Sequence, residues 1–200
     1  YHFANIVPTP ETIECKIPDV LNPRFSYGGG KIAGELMTAN YLRDTNIDYT
    51  IFRPHNVYGP NMGFDHVIPQ LACKALSKMK ENLGAKAPLE IQGTGQETRS
   101  FIYIDDAVAA IELCTIKNRG RGIYHVGTRD EIKIMDLAYF IAKEVGIQVD
   151  IVCSAPAEGS PARRCPDISK IEALGFVPPT SLKEGLAKTI QWYRQYCSTQ

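Results

Sequence analysis

The 200-residue sequence lacks several features that would assign a protein class at once. Its 22 basic and 22 acidic side chains balance, so nothing indicates a nucleic-acid partner. No apolar run reaches membrane-spanning length and no signal-peptide pattern is present, so we expect a cytoplasmic protein without a membrane partner. The six cysteines form no C-x-x-C pair and the four histidines form no ligand motif. This pattern favours reduced, buried thiols over a metal site.

What the sequence does contain is an alternation of helical and strand patterns. Apolar residues recur at helical spacing in five long segments, and short runs rich in β-branched residues separate them. Such alternation is typical of an α/β fold with a parallel sheet. Helices are predicted over 26–42, 66–79, 105–116, 134–146 and 181–196, with a short helix within 160–176. Strands are predicted within 48–60, 89–93, 99–104, 122–128 and 149–153.

The stretch "SYGGGK", residues 26–31, places Tyr27 and Lys31 four residues apart around three glycines. It is not a phosphate-binding loop, because Lys31 is followed by Ile32 and not by the Ser or Thr that such a loop needs. The apolar spacing that follows predicts a helix, on which Tyr27 and Lys31 lie one turn apart on the same face.

The chemistry of this pair suits proton transfer. A neighbouring ammonium group favours the ionised form of a phenol, and an ionised phenol can act as a base. Lysine also has spare hydrogen-bond donors for the diol of a ribose. The spacing alone is common, however, and a chance pair on the surface would show the same pattern.

Four segments in this order resemble the extended short-chain dehydrogenase/reductase family of nucleotide-sugar epimerases, dehydratases and decarboxylases. They are "SYGGGK", "FRPHNVYGP", "RSFIYIDDAVAAI" and "RRCPDISKIEALGFVPPTSLKEGL". The sequence is most similar to UDP-glucose 4-epimerase-like and UDP-glucuronate decarboxylase-like members. The resemblance implies the C-terminal part of a Rossmann-type doubly wound parallel sheet plus a smaller α/β substrate-binding domain. Residues 1–60 would belong to the first domain and 61–200 mainly to the second, with 99–128 returning to the Rossmann sheet.

The sequence also departs from the family pattern. The family's G-x-x-G-x-x-G turn, which holds the dinucleotide pyrophosphate, is absent, and Gly93-Thr94-Gly95 precedes a strand, so it is predicted to be a turn. Tyr1 matches the last tyrosine of the family's S-S-x-x-V-Y motif, and Glu11 stands where the family often has a glutamate. We therefore expect the C-terminal portion of a longer enzyme, inactive alone and unable to bind NAD alone.

The resemblance implies a catalytic and cofactor-binding role for four residues. Tyr27 would be the base, and Lys31 would bind the ribose of NAD and favour the phenolate. Pro54 and His55 would lie beside the nicotinamide, mostly through their backbone. The alternatives for His55 are a catalytic acid and, more simply, a packed histidine.

Three further residues would bind the substrate, which we expect to be a UDP-sugar. Asn56 would contact the nucleotide-sugar, although an asparagine at this place can also simply form a turn. Arg99 would bind the diphosphate, because a guanidinium group can donate two parallel hydrogen bonds to it; the alternative is a surface ion pair. Of the neighbouring Arg163 and Arg164, one should face the diphosphate, and Arg163 is preferred.

Several acidic residues are interpreted structurally. Asp105, Asp106 and Asp167 are predicted to cap helices rather than to take part in catalysis. The apolar residues of the 26–42 helix cover more than one face, which indicates either a fully buried helix or, by resemblance, a homodimer interface.

The resulting hypothesis is an NAD-dependent enzyme that oxidises a nucleotide-sugar to a keto intermediate and then epimerises it. Dehydration and decarboxylation of the same intermediate are the alternatives within the family. A non-catalytic nucleotide-binding protein is the alternative outside it.

Overall fold

The computed structural model describes residues 6–81, 86–118, 120–156 and 161–198. Helices and strands alternate along the chain, as the sequence predicts. The helices are α1 (Ser26–Tyr41), α2 (Val67–Lys80), α3 (Ile104–Lys117), α4 (Ile134–Val145), α5 (Ser169–Glu172) and α6 (Leu182–Ser198). The strands are β1 (Tyr49–Pro54), β2 (Val57–Tyr58), β3 (Ala87–Gln92), β4 (Thr98–Ser100), β5 (Ile102–Tyr103), β6 (Arg121–Val126), β7 (Glu131–Lys133), β8 (Val149–Ser154) and β9 (Arg163–Arg164).

Parallel pairing dominates the sheets. Strand β1 pairs with β6 from Tyr49↔Arg121 to Pro54↔Val126, β2 pairs with β5, and β3 pairs with β8. In addition, β4 pairs in parallel with β9 and antiparallel with β7. The predicted α/β class with a parallel sheet is confirmed. The domain boundaries proposed from the sequence stay a prediction.

Two clusters of buried apolar side chains hold the helices against the strands. The larger one joins α2, α4 and α6 to β3, with Leu137 and Ile141 of α4 and Leu76 of α2 fully buried. Helix α4 presents its apolar residues at helical spacing, and Gly146 ends it in the left-handed conformation (φ 93°), which glycine adopts without strain. The smaller cluster packs α3 and α5 against β6.

Helix α6 begins with the predicted capping box. The backbone N–H of Ser181 donates to the Glu184 carboxylate at 3.0 Å, and the backbone N–H of Glu184 donates to the Ser181 hydroxyl at 3.3 Å. One turn into the helix, Gly185 brings the backbone of α6 against Tyr58 and Tyr103. A capping box and a close approach together fix where α6 crosses β2 and β5.

The acidic residues expected to cap helices behave differently from one another. Asp106 does not cap α3: its carboxylate accepts the backbone N–H (3.1 Å) and hydroxyl (2.8 Å) of Thr180, which ties α3 to the loop before α6. The N-cap residue of α3 is Tyr103, without a side-chain hydrogen bond. Asp167 does accept the backbone N–H of Ser169, the first residue of α5, at 2.9 Å.

Helix α1 contains no buried residue, so the expectation of a fully buried helix is wrong. Its side chains Leu36, Met37 and Tyr41 are exposed. The apolar residues do recur at helical spacing along α1, but no element in the described part of the chain buries them.

All six cysteines are free. The prediction of buried thiols holds for Cys114 and Cys165, whereas Cys153 is exposed. In the described ranges, no helix combines the length and the apolar composition needed to cross a bilayer. Tyr1, which the resemblance assigned to a catalytic motif, lies outside the described residues.

Candidate functional site

The Tyr27–Lys31 pair lies in the first two turns of α1. A short 3-10 turn, Pro23–Phe25, leads into the helix, and the Ser26 hydroxyl donates to the carbonyl of Pro23 at 2.8 Å. Tyr27 is 76% exposed, and the Lys31 ammonium lies 5.2 Å from the centre of its ring. The predicted placement on one helical face is therefore confirmed, and both side chains are open to a ligand.

Two arginines connect α1 to the β1–β6 pair. The Arg53 guanidinium on β1 donates to both carboxylate oxygens of Glu35, at 2.9 and 2.6 Å. The Arg121 guanidinium at the start of β6 donates to the carbonyls of Leu42 (2.5 Å) and Thr45 (2.6 Å), just beyond the end of α1. The helix that carries Tyr27 and Lys31 is thus fixed beside β1 by charged hydrogen bonds.

Strand β1 ends at Pro54, which is exposed, and His55 follows it. The His55 backbone N–H donates to the Val126 carbonyl at 2.8 Å. Its ring contacts that of His125 edge to face, with 4.5 Å between the ring centres. Burial, aided by the positive charges of His125 and Arg164, lowers the pKa of His55 to about 3. Burial thus favours the neutral imidazole of His55, which supports the alternative of a packed histidine over that of a catalytic acid.

Asn56 forms the turn from β1 to β2 and also faces a cleft. Its φ of 42° is a left-handed conformation that asparagine adopts more readily than most residues. One side-chain N–H of Asn56 donates to the Ser100 carbonyl at 2.7 Å. Asn56 is thus a turn residue whose amide holds β4 in place, and it lines the cleft as well.

The cleft has a volume of about 720 Å³ and lies between α2, the ends of β3 and β8, and the β4–β9 pair. Arg99 of β4 and Arg164 of β9 both line it. The two residues are direct partners in the parallel register, so their side chains leave the sheet on the same face. Burial and, after it, the charge of Arg164 lower the pKa of Arg99. The two guanidinium groups favour an anionic ligand on their side of the cleft, which Asp65, Glu90 and Glu97 also line.

Arg163, which the sequence analysis preferred over Arg164, does not line this cleft. Its guanidinium donates to the Glu131 carboxylate of β7 at 2.5 to 3.0 Å. Neighbouring residues on a strand point to opposite faces, so one arginine pairs with Glu131 and the other reaches the cleft. The structure thus places Arg164 at the cleft, where the sequence analysis had preferred Arg163.

Sequence reasoning missed other polar groups of the cleft. Lys74 of α2 lines it and donates to the Glu90 carbonyl at 3.0 Å. Glu97 lines it too, and its Oε2 is buried without a hydrogen-bond partner among the described residues. Lys74 could have been found from the polar side of the predicted α2. Glu97 could not, because the turn before it was predicted but the cleft that it faces is formed by elements distant in sequence.

The described residues include no group of three His, Cys, Asp or Glu side chains that could hold a metal ion. The described side chains thus offer two chemical groups: a phenol–ammonium pair on α1 and two guanidinium groups in a cleft.

The chain is similar to several known proteins. The profile of the NAD dependent epimerase/dehydratase family matches residues 4–127. UDP-glucuronic acid decarboxylase 2 of Arabidopsis thaliana is 31% identical over 175 residues, covering 86% of this chain and 37% of the relative. The dTDP-glucose 4,6-dehydratase of Streptomyces niveus is 30% identical over 174 residues, covering 86% and 49%. The crystal structure of UDP-glucose 4-epimerase from Thermotoga maritima with UDP-glucose superposes with a TM-score of 0.79 at 27% identity, covering 98% and 60%.

The chain spans between 26% and 59% of the length of the first curated relatives that it matches. The three proteins named above are a decarboxylase, a dehydratase and an epimerase of nucleotide-sugars. Their common part therefore indicates the fold and the ligand class more strongly than the reaction.

Proposed function

The chain belongs to the NAD-dependent epimerase/dehydratase family, and we propose that it supplies the catalytic base and the substrate cleft of an enzyme that modifies a nucleotide-sugar. The substrate we expect is a UDP-sugar, and the place of action the cytoplasm. The proposed reaction is oxidation of one sugar carbon to a ketone, followed by reduction from the opposite face, which is an epimerisation.

The observation that carries this proposal is the placement of Arg99 and Arg164 on partner strands facing one cleft. A diphosphate has several anionic oxygens that two guanidinium groups can bind together. Asn56 and Lys74 line the same cleft and offer donors to the hydroxyls of a sugar or ribose. Fixed cations, a half-open cleft and hydroxyl-binding groups match the chemistry of a nucleotide-sugar.

The residues on α1 fit the nicotinamide end of NAD. Tyr27 and Lys31 are exposed and adjacent, and Lys31 can donate to a ribose diol. Pro54, at the end of β1, is exposed, and we propose that its backbone faces the nicotinamide together with His55. The glycine turn that binds a pyrophosphate is not in the sequence, so the fit covers this end of the cofactor only. NAD held there would supply the hydride acceptor for oxidation of the sugar carbon and the hydride donor for its reduction.

The role of the chain's own residues is proton transfer and positioning. Tyr27, as phenolate, accepts the proton of the sugar hydroxyl as its carbon is oxidised. Lys31 stabilises that phenolate by its charge. Tyr27 returns the proton when the ketone is reduced, so the proton balance closes over one turnover. Dehydration and decarboxylation of the ketone are the alternative outcomes. One relative is a dehydratase and another a decarboxylase, which supports both alternatives.

We also propose that the protein is a homodimer through α1. Leu36, Met37 and Tyr41 are exposed on this helix, and apolar side chains on adjacent turns suit helix–helix packing between two copies. Sedimentation equilibrium tests this: Met37→Glu should convert a dimer to a monomer, and a monomeric parent protein would contradict it.

The test of the proposed function uses the protein in which this sequence occurs. It is incubated with NAD and, separately, with UDP-glucose, UDP-glucuronate and dTDP-glucose, and the products are identified by NMR. We expect epimer formation from one UDP-sugar. Tight binding of a nucleoside diphosphate without any conversion would instead support a non-catalytic nucleotide-binding protein.

A further inference from the structure

Glu35 and Arg53 form a shielded ion pair under the catalytic helix. Arg53 is 4% exposed and Glu35 is 15% exposed, and both carboxylate oxygens accept from the guanidinium group. A pair so well shielded from water is costly to form unless every charge is met. A contribution to overall stability alone therefore does not account for this ion pair.

The explanation lies in the spacing along α1. Tyr27, Lys31 and Glu35 follow one another at intervals of four residues, so they lie on one face on successive turns. Lysine and glutamate four residues apart on a helix are near enough to form an ion pair. A Glu35 carboxylate without Arg53 would thus compete with Tyr27 for the Lys31 ammonium.

We propose that Arg53 is a positioning residue for catalysis: by binding both oxygens of Glu35, it leaves the Lys31 ammonium with Tyr27. This inference rests on the proposed function of Tyr27 and Lys31. In this role Arg53 acts through Glu35 and Lys31 and does not itself touch the substrate.

Neighbouring groups hold the Arg53 guanidinium in the orientation that binds Glu35. From the segment before α1, the Glu11 carbonyl accepts from Nη1 of Arg53 at 2.8 Å, and Cys15 Sγ accepts from Nη2 at 3.4 Å. From β6, the backbone N–H of His125 donates to the Glu11 carboxylate at 3.0 Å. These contacts hold the guanidinium plane in one orientation. Arg121 binds the chain beyond the other end of α1, so α1 keeps a second attachment when Arg53 is changed.

The experiment compares pH profiles of kcat. In Arg53→Gln, we expect the acid limb of the profile to move up by about one pH unit, the size of effect that a neighbouring charge commonly has. On the acid side of the limb, kcat of Arg53→Gln should then be about tenfold lower than kcat of the parent at the same pH. KM for the nucleotide-sugar should stay within threefold of the parent value. Arg53→Gln/Glu35→Gln should return the limb to its original place, because the competing carboxylate is gone. Glu14→Gln, which removes an exposed carboxylate paired with Lys16, should change nothing.

A second variant covers the case that Arg53→Gln does not fold. Gly34 is exposed, and a Cβ added there meets nothing within 4 Å. Gly34→Glu therefore adds a carboxylate three residues from Lys31, close enough on the helix to compete for its ammonium. It should move the acid limb in the same direction, by less, because water screens an exposed charge.

A readout without substrate or cofactor follows the phenol itself. Tyrosine labelled with ¹³C at Cζ reports ionisation by NMR, and Tyr27→Phe identifies the Tyr27 signal. At a fixed pH, the Cζ signal of Tyr27 should shift in Arg53→Gln and return to the parent position in the double variant.

Two failures can be told apart. If Tyr27→Phe keeps full turnover, the proposed function is wrong. If Tyr27→Phe is inactive but neither Arg53→Gln nor Gly34→Glu moves the limb, or the double variant is no better than Arg53→Gln, Arg53 is only a structural residue.

Discussion

At the scale of single residues, Arg99 and Arg164 give the most direct test of whether the cleft binds a diphosphate. Each replaced by Ala should weaken binding of UDP by about 1.5–3 kcal/mol, the range for hydrogen bonds to charged groups. Isothermal titration calorimetry measures this as a rise in Kd of roughly ten- to a hundredfold.

Arg163 is the matched control, since it neighbours Arg164 but binds Glu131. Arg163→Ala should leave the Kd for UDP within a factor of about two. If all three variants bind UDP alike, the cleft is not a diphosphate site. If Arg163→Ala alone weakens binding, the assignment of the two arginines is reversed.

The buried His55–His125 pair predicts how stability depends on pH. Burial lowers the pKa of both, that of His55 to about 3. Between that value and the ordinary value of about 6.5, the unfolded state binds more protons than the folded one. The stability is therefore complete above about pH 6.5 and falls on acidification, by up to about 1.4 kcal/mol per pH unit for each histidine.

Thermal unfolding between about pH 7.5 and 5.5 measures this slope. His55→Gln should flatten the fall of Tm, because a neutral amide does not titrate. His66→Gln, at the exposed histidine before α2, should keep it. An unchanged slope in His55→Gln would mean that His55 is protonated in the folded protein.

At the scale of elements, replacing a glycine by alanine should have opposite effects on stability in two of the helices. A Cβ at Gly185 of α6 would overlap the Tyr58 hydroxyl and come within 2.9 Å of Tyr103 Cδ2. Overpacking of this kind costs about 1–3 kcal/mol, more than the roughly 1 kcal/mol that Ala gains in helix propensity. Gly185→Ala should therefore lower Tm by several degrees.

Gly34 of α1 is the contrast, because a Cβ there meets nothing within 4 Å. Gly34→Ala should stabilise the protein by about 0.5–1 kcal/mol. Denaturant unfolding of both variants tests the pair. A stabilised Gly185→Ala would show that α6 does not cross Tyr58 as closely as described.

The elements themselves were largely predictable from the sequence. The periodicity of α4, the capping box of Ser181 and Glu184, and the stop at Gly146 are local signals, and the structure contains all three. The predicted strand 99–104 is instead divided into β4 and β5, which pair with different strands. Asp106 shows the limit most clearly: its position favours a cap, but Thr180, distant in sequence, binds it.

At the scale of the whole molecule, the site joins residues that no local pattern connects. The Tyr27–Lys31 pair was recognisable from its spacing and from the family resemblance. That Arg164 and not Arg163 faces the cleft depends on the register between β4 and β9, segments about 65 residues apart. The ion pair of Arg53 and Glu35 depends on how α1 is placed against β1, which the sequence alone did not predict.

The 200 residues as a whole lack the glycine turn for a dinucleotide pyrophosphate. Tyr27 and Lys31 alone offer a few hydrogen bonds of about 0.5–1.5 kcal/mol each, against an association cost of at least about 4 kcal/mol. We therefore expect that the 200-residue polypeptide alone does not bind NAD measurably in a calorimetric titration. A dissociation constant in the micromolar range would reveal a cofactor site elsewhere in the chain.

The central claim is that Tyr27 is the base of an NAD-dependent reaction on a nucleotide-sugar, and its most direct test is turnover of Tyr27→Phe in the protein in which this sequence occurs. The change removes one hydroxyl from an exposed side chain, so folding and substrate affinity should stay nearly intact. The account predicts that kcat falls by at least about a hundredfold, the lower range for a general base, with the substrate Kd within about twofold. Turnover within about threefold of the parent protein would contradict it.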